Sequence, residues 1–409
     1  MSYNHSDISN THDIDLHSPD FIANPFPAYR WLLKHAPVYQ ASATGDYFVA
    51  RPAYIEAIMR DNRTFLSDRT ASFSSRLSEP QRDQIQPLLD SLARWLLFQD
   101  PPKHMPLRKI INAALNPKLV NHMAADIRAI TRQLLSTMLA QGQDDLVQGL
   151  SYPLPALVIA RLLGVPAEDI HLVKQWSDDI ASFTGSRTGF DVAQRAQASV
   201  LDMSLYLQRL LHDHANTEKP PLLDNLLQFQ QQHPEFTEQD LLANCILLLF
   251  AGHETTTCLI NNLWIQLQAH DDQRQALISH PQLIDNAVEE GLRFDGAVHR
   301  LGRFIQADCE IGGVRLRKGR MAYLLLGAAN RSEELFNQPD TFDIRRKPVR
   351  HVGFGFGPHL CSGAALARLE TAIAIAELLQ QLPEGKVQTP PEYHMNLALH
   401  AVKALKIII

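Results

Sequence analysis

Cysteine is scarce in this chain: four in 409 residues, at 245, 258, 309 and 361, with no spacing that suggests a disulfide framework or a metal cluster. That scarcity fits a reducing compartment. Long apolar runs are also missing. Residues 245–251 are uniformly apolar, but a membrane helix needs roughly 20 such residues. The first twenty residues are polar and lack the basic-then-apolar order of a secretory signal. There is no basic excess, since 38 Lys and Arg face 44 Asp and Glu for a net charge of −6, and nucleic-acid binding has no support. A Gly-x-Gly-x-x-Gly dinucleotide motif is absent, as are Gly/Ser linkers, repeats and low-complexity tracts. These absences predict a soluble, cytoplasmic protein with one large domain, no membrane span and no nucleic-acid partner.

What is present concentrates near the C-terminus, in Phe354-Gly355-Phe356-Gly357-Pro358-His359-Leu360-Cys361-Ser362-Gly363. Glycine serves where a backbone turns with positive φ or approaches another body closely. Residues 364–369 are strong helix formers, which places Cys361 just before a helix N-terminus. Unpaired amides and the helix dipole there favour a thiolate. A thiolate so placed suits the proximal ligand of a haem iron; the plain alternative is a buried cysteine in a glycine-rich loop.

This string resembles the signature of the cytochrome P-450 family, Phe-Gly-x-Gly-x-His-x-Cys-x-Gly, at every fixed position. The resemblance implies a mainly α-helical domain with small β-sheets enclosing one haem b. Cys361 would be the axial iron ligand, with Phe354 and Gly363 beside the haem and His359 near a propionate. The expected division is a flexible N-terminal arm, residues 1–24, and a haem-thiolate monooxygenase domain, residues 25–409.

Four further segments agree. Asp100-Pro101-Pro102-Lys103-His104 leads to Arg108, and the spacing of four puts His104 and Arg108 on one helix face. Such a pair is by default a solvated basic face; the resemblance implies propionate binding, for which a planar guanidinium is suited. Thr237-Glu238-Gln239-Asp240 reads as a capped start for a helix reaching about His270. In its middle, Ala251-Gly252-His253-Glu254-Thr255-Thr256-Thr257 places poor helix formers after the most apolar run. Ala251 and Gly252 would admit a flat group, and threonines bonding back to i−4 carbonyls are the plain alternative. The resemblance assigns Glu254 and Thr255 to proton delivery on the distal side.

Glu290-x-x-Arg293 matches the family's Glu-x-x-Arg pair, with Arg345 implied as its third partner. Arg303 falls at another propionate-binding position, with Arg300 as a nearby competitor. Ala297-Val298 departs from the family's frequent Pro-Val, which puts the pocket shape in doubt. Leu247, Phe250 and Val298, with residues near 66–98 and 180–190, are expected pocket walls by position. The glycine-flanked break at residues 184–189 reads as a mobile corner, and its family position implies a lid. Residues 64–90 read as a long, partly irregular connection. Arg346, Lys347 and Arg350 form a basic run beside the cysteine loop, expected to dock an acidic ferredoxin or flavodoxin with its reductase.

The reaction implied is insertion of one oxygen atom from O₂ into an apolar small molecule, by hydroxylation or epoxidation. NAD(P)H would supply electrons indirectly through those separate partners. A peroxide-driven peroxygenase and a non-catalytic haem-thiolate sensor or recruitment domain remain alternatives; the retained Glu254-Thr255 pair speaks against both.

Overall fold

The structure is a computed structural model describing residues 14–16, 18–74, 77–185, 189–213, 220–347 and 350–408. Its axis is the Glu238–Ala269 helix, close to the span the capping pattern predicts. Thr237 Oγ1 accepts the Asp240 N–H at 3.2 Å, and the Asp240 carboxylate accepts the Thr237 N–H at 3.0 Å. Leu241, Ile246, Leu249, Ile260, Leu263 and Leu267 are all buried, because helices surround this one. Pro153–Leu163, Phe190–Asp213, Ile284–Asp295 and Ala364–Gln381 all pack on it. Its length and composition would suffice to cross a bilayer, yet 67% of the most apolar window is buried inside the protein. It is a core helix.

A five-stranded sheet flanks the helices in the order Val38–Gln40, Tyr47–Val49, Met321–Leu325, Arg300–Ile305, Phe65–Leu66. Tyr47–Val49 runs parallel to Met321–Leu325, and the remaining pairings are antiparallel. Successive residues of Arg300–Ile305 point to opposite faces. Leu301 and Arg303 consequently line one cavity, whereas Arg300, Gly302 and Phe304 line another.

Three expectations change. The arm expected through residue 24 contains the Pro19–Ala23 helix, capped by Ser18, with Leu16 and Ile22 buried; residues 1–13 lie outside the described residues. The connection at 64–90 is a strand and three short helices, Thr70–Ser74, Glu79–Gln84 and Gln86–Ala93. Ile85, Leu88 and Leu92 bury one face of that stretch against the main core, which compensates for weak local periodicity. The sequence spacing predicts one helix over residues 119–140, which is divided between Pro117–His122 and Ala124–Ala140. The expected corner at 184–189 does separate two helices, Ile170–Gly185 and Phe190–Asp213, and its residues 186–188 lie outside the described residues.

Candidate functional site

The cysteine loop is a tight turn built by two glycines. Gly355 and Gly357 adopt φ of 77° and 70°, a region that penalises any side chain. The Cys361 N–H donates to Phe354 O at 2.9 Å, and the Gly355 N–H to Val352 O at 2.8 Å. Gly363 then caps the Ala364–Gln381 helix. Asn330 Oδ1 accepts the Val352 N–H at 2.8 Å, which ties the loop to the body. The Cys361 side chain is exposed to a cavity of about 270 Å³. The surrounding protein pushes its thiol pKa up, against the Gly363 N–H, Arg108 and Arg368, which act to lower it. The Gly363 N–H and the Arg108 and Arg368 guanidiniums are the groups here that favour the thiolate.

Another wall of the cavity comes from the long helix. Leu247, Ala251, Gly252 and Thr255 line it, together with Val298. The Thr255 hydroxyl donates to Ala251 O at 3.1 Å, and Thr256 to Gly252 O at 3.3 Å. The helix is continuous through this point, so the threonines hold i−4 carbonyls without opening it. Glu254 is on another face. Its Oε1 lies 3.4 Å from His253 Nε2, which in turn lies 3.3 Å from the Tyr152 hydroxyl. Burial works to raise the Glu254 pKa, but the His253 bond and the charges of His253, Lys174 and His394 leave it below the ordinary carboxylate value.

Phe250, expected as a pocket wall, packs on Trp95 with ring centroids 5.5 Å apart and is not part of the cavity lining. One step before Ala251 on a 3.6-residue helix, it faces away. Local sequence patterns single out neither His253 nor Tyr152 for this role. A histidine inside a threonine-rich helix gave no periodic signal, and Tyr152 lies a hundred residues away.

A cluster of basic groups closes one side. Arg108, Arg303 and His359 line the cavity, and the His104 and His359 rings are 4.1 Å apart. Arg108 hydrogen-bonds to Leu360 O. His359 Nε2 lies 2.9 Å from Ser67 Oγ, another contact with no sequence signal. His104 is fully buried, and neither ring nitrogen has a hydrogen-bond partner among the described residues. Burial, with Arg303, His104 and Arg108 nearby, pushes His359 down to about 3. Burial and the Arg69 charge take Arg303 down to about 10. An unpartnered buried polar group costs about 1–3 kcal/mol, so four cationic or donor groups converging here fit a ligand with paired carboxylates. Arg300 is elsewhere, stacked over Tyr323 at 4.6 Å.

The Glu290–Arg293 pair is present and buried. Arg293 Nε donates to Glu290 Oε2 at 2.7 Å, and the same guanidinium bonds Asn330 O, Pro339 O and Thr341 O at 2.8–3.0 Å. The third partner is Arg346, whose Nε is 3.3 Å from Glu290 Oε2, and not Arg345. A turn explains this: the Arg346 N–H donates to Asp343 O at 3.0 Å, which directs residue 345 to solvent and 346 inward. Arg346 is accordingly a poor member of the expected docking run. Lys347 is exposed, and Arg350, also exposed, lies 4.3 Å over the Phe356 ring.

A cavity lined by the Cys361 thiol, by small residues of the long helix and by the cations Arg108 and Arg303 fits a haem-thiolate fold. The cytochrome P450 family model matches residues 49–405. The chain is 33% identical to the biotin biosynthesis cytochrome P450 of Bacillus subtilis (strain 168), over 90% of this chain and 91% of that one. It is also 33% identical to cytochrome P450 monooxygenase PikC of Streptomyces venezuelae, with 97% and 93% covered. Among solved structures, P450BioI in complex with acyl carrier protein ligated to hexadec-9Z-enoic acid aligns with a TM-score of 0.87. The two are 31% identical, over 96% of this chain and all of that one. The chain belongs to the cytochrome P450 family. It is an oxygen-incorporating oxidoreductase whose cofactor is haem.

Proposed function

We propose that this protein inserts one oxygen atom from O₂ into an apolar small molecule, drawing electrons from NAD(P)H through a separate ferredoxin or flavodoxin and its reductase, in the cytoplasm. The observation that carries this reading is that Cys361 and Thr255 line one apolar cavity. Haem supplies oxygen activation when bound. Cys361 would hold its iron, while His104, Arg108, Arg303 and His359 would take its propionates, with Ala251, Phe354 and Gly363 against its faces.

The chain's own contribution is to order protons and exclude water. Thr255 offers a hydroxyl to the distal side, and Glu254 with His253 and Tyr152 forms a polar line behind it, leading away from the cavity. Leu247, Val298, Leu301 and Leu326 supply dry walls. Glu290, Arg293 and Arg346 keep the segment before the cysteine loop in place, in a structural role. Lys347 and Arg350 are exposed cations shortly before that loop in the chain, and support docking of an acidic electron donor. The experiment is a ferrous–CO spectrum of the haem-loaded protein, followed by turnover with redox partners and, separately, with peroxide. A long-wavelength Soret band with partner-dependent product supports this reading. Product from peroxide alone, with none from the partners, would replace it by a peroxygenase.

A further inference from the structure

A second cavity of about 530 Å³ lies on the other face of the Arg300–Ile305 strand. Its apolar wall includes Phe73, Leu77, Phe183 and Leu397, and among the described residues three arginines, Arg69, Arg300 and Arg320, share it with a single carboxylate, Asp46. Asp46 is already engaged, with Oδ1 accepting the Met321 N–H at 3.1 Å. In a chain of net charge −6, this local excess of guanidinium stands out.

Arg69 is the informative one. Its guanidinium lies 5.6 Å from the Phe73 ring centroid and 5.2 Å from that of Phe98. Nε is buried without a hydrogen-bond partner, and the side chain makes no ion pair among the described residues. Burial lowers its pKa. Phe98 directly follows Leu96 and Leu97, which line the cysteine cavity, so Arg69 stands at the partition between the two spaces. Gly302 makes room for it: a Cβ there would come within 2.4 Å of an Arg69 terminal nitrogen. Arg320 is committed through Nη1 to Thr44 O at 3.0 Å, and Arg300 lies over Tyr323. Arg69 is half-buried, with its Nε enclosed; enclosing part of a guanidinium without an anion is unfavourable, and its planar fork matches a carboxylate.

We propose that Arg69 is a substrate head-group site and that the protein takes amphipathic carboxylic acids, with the acid at Arg69 and the apolar body extending toward the cysteine cavity. This rests on the monooxygenase reading above and assigns the substrate class of that site. The second cavity is then the entrance that selects for the charge, and Phe73 and Phe98 flank the head group once it is seated.

The test uses haem-loaded protein and three twelve-carbon probes: dodecanoate, dodecan-1-ol and S-dodecanoyl-pantetheine. Affinities are read twice, from the optical spin-state change and from equilibrium dialysis. Dodecanoate should bind the unaltered protein about tenfold or more tighter than the alcohol at low salt, equivalent to one charge-assisted contact. The readout for Arg69→Gln is that ratio, which should fall toward one, while Arg69→Lys should keep part of it. Equal affinities for acid and alcohol in the unaltered protein would overturn the proposal without any variant. So would an undiminished ratio in Arg69→Gln, or tighter binding of the thioester, which carries no carboxylate and would indicate carrier-delivered substrate. Loss of the thiolate-type ferrous–CO band in the unaltered protein would instead defeat the monooxygenase reading itself, so the two failures are distinguishable.

Discussion

Arg346 Nε lies 3.3 Å from Glu290 Oε2, deep beside Arg293, while its neighbour Lys347 is exposed. Adjacent members of one basic run therefore have different roles. Arg346 also donates to Asn337 O at 2.7 Å and to Gln338 O and Thr341 O at 3.0–3.1 Å. Replacing it by Gln removes its bonds to Glu290 and to these carbonyls, while Arg293 still pairs Glu290, and should destabilise the protein by about 1–2 kcal/mol. Lys347→Gln should change stability by no more than about 0.5 kcal/mol. Chemical denaturation of the two variants separates them; equal midpoints would remove Arg346 from the network.

Lys347 and Arg350 are the residues with which to test electron-donor docking. Replacing both by Gln should slow first-electron transfer from an acidic ferredoxin and leave substrate affinity unchanged. The attraction is between exposed charges, screened over about 8 Å at physiological ionic strength. The unaltered protein's rate should fall steeply with salt and the variant's less so, measured by stopped-flow reduction under CO. Parallel salt slopes would mean the donor docks elsewhere.

Cys361→Ser should abolish the long-wavelength Soret band of the ferrous–CO complex, because an alcohol pushes far less electron density to iron than a thiolate does. Retention of that band and of turnover would rule out Cys361 as the ligand.

Thr255→Ala and Glu254→Gln should both lower product formed per NAD(P)H consumed. Loss of a positioned proton donor costs roughly 100-fold or more in the step it serves. His253→Phe tests the line behind them. Glu254 sits below its ordinary pKa because the His253 bond and nearby positive charge outweigh burial. Its ionised form therefore stabilises the fold above the ordinary carboxylate pKa, and that contribution disappears as pH falls through the lower folded value. Removing His253 should raise the Glu254 pKa and move the acidic limb of turnover to higher pH. An unmoved limb would detach His253 from the acid.

Glu289 offers a second pH test on the cysteine side. Burial acts to raise its pKa, but bonds from His351 and Arg368 bring it down to about 2. The depressed value means stability is complete above pH 4.5, the ordinary value, and is lost between there and about pH 2. Glu289→Gln should cost on the order of 1–2 kcal/mol at pH 7 after allowing for partial exposure. The gap to the unaltered protein should narrow as pH falls through that window. A gap independent of pH would mean the carboxylate's charge contributes nothing.

Much of the centre was determined by local chemistry. The Gly-rich string around Cys361 demands left-handed turns that few other residues permit, and Gly355 and Gly357 adopt them. The Thr237/Asp240 cap and the apolar residues after it were sufficient to start a long helix. Residues four apart, such as His104 and Arg108, share a helix face by geometry alone. What only the tertiary structure decided is which side chain of several equivalent ones turns inward. Arg346 displaced Arg345 because a turn at Asp343 rotated the pair, and Phe250 left the pocket because one residue on a helix is 100° of rotation. Arg69 resembles any polar residue in an irregular stretch, and is a half-buried cation with an enclosed Nε only because Phe73, Phe98 and Gly302 close around it. Composition and spacing carry no record of such long-range enclosure, which is why the glycine turn at Cys361 and the long helix were legible from the sequence and the second cavity was not.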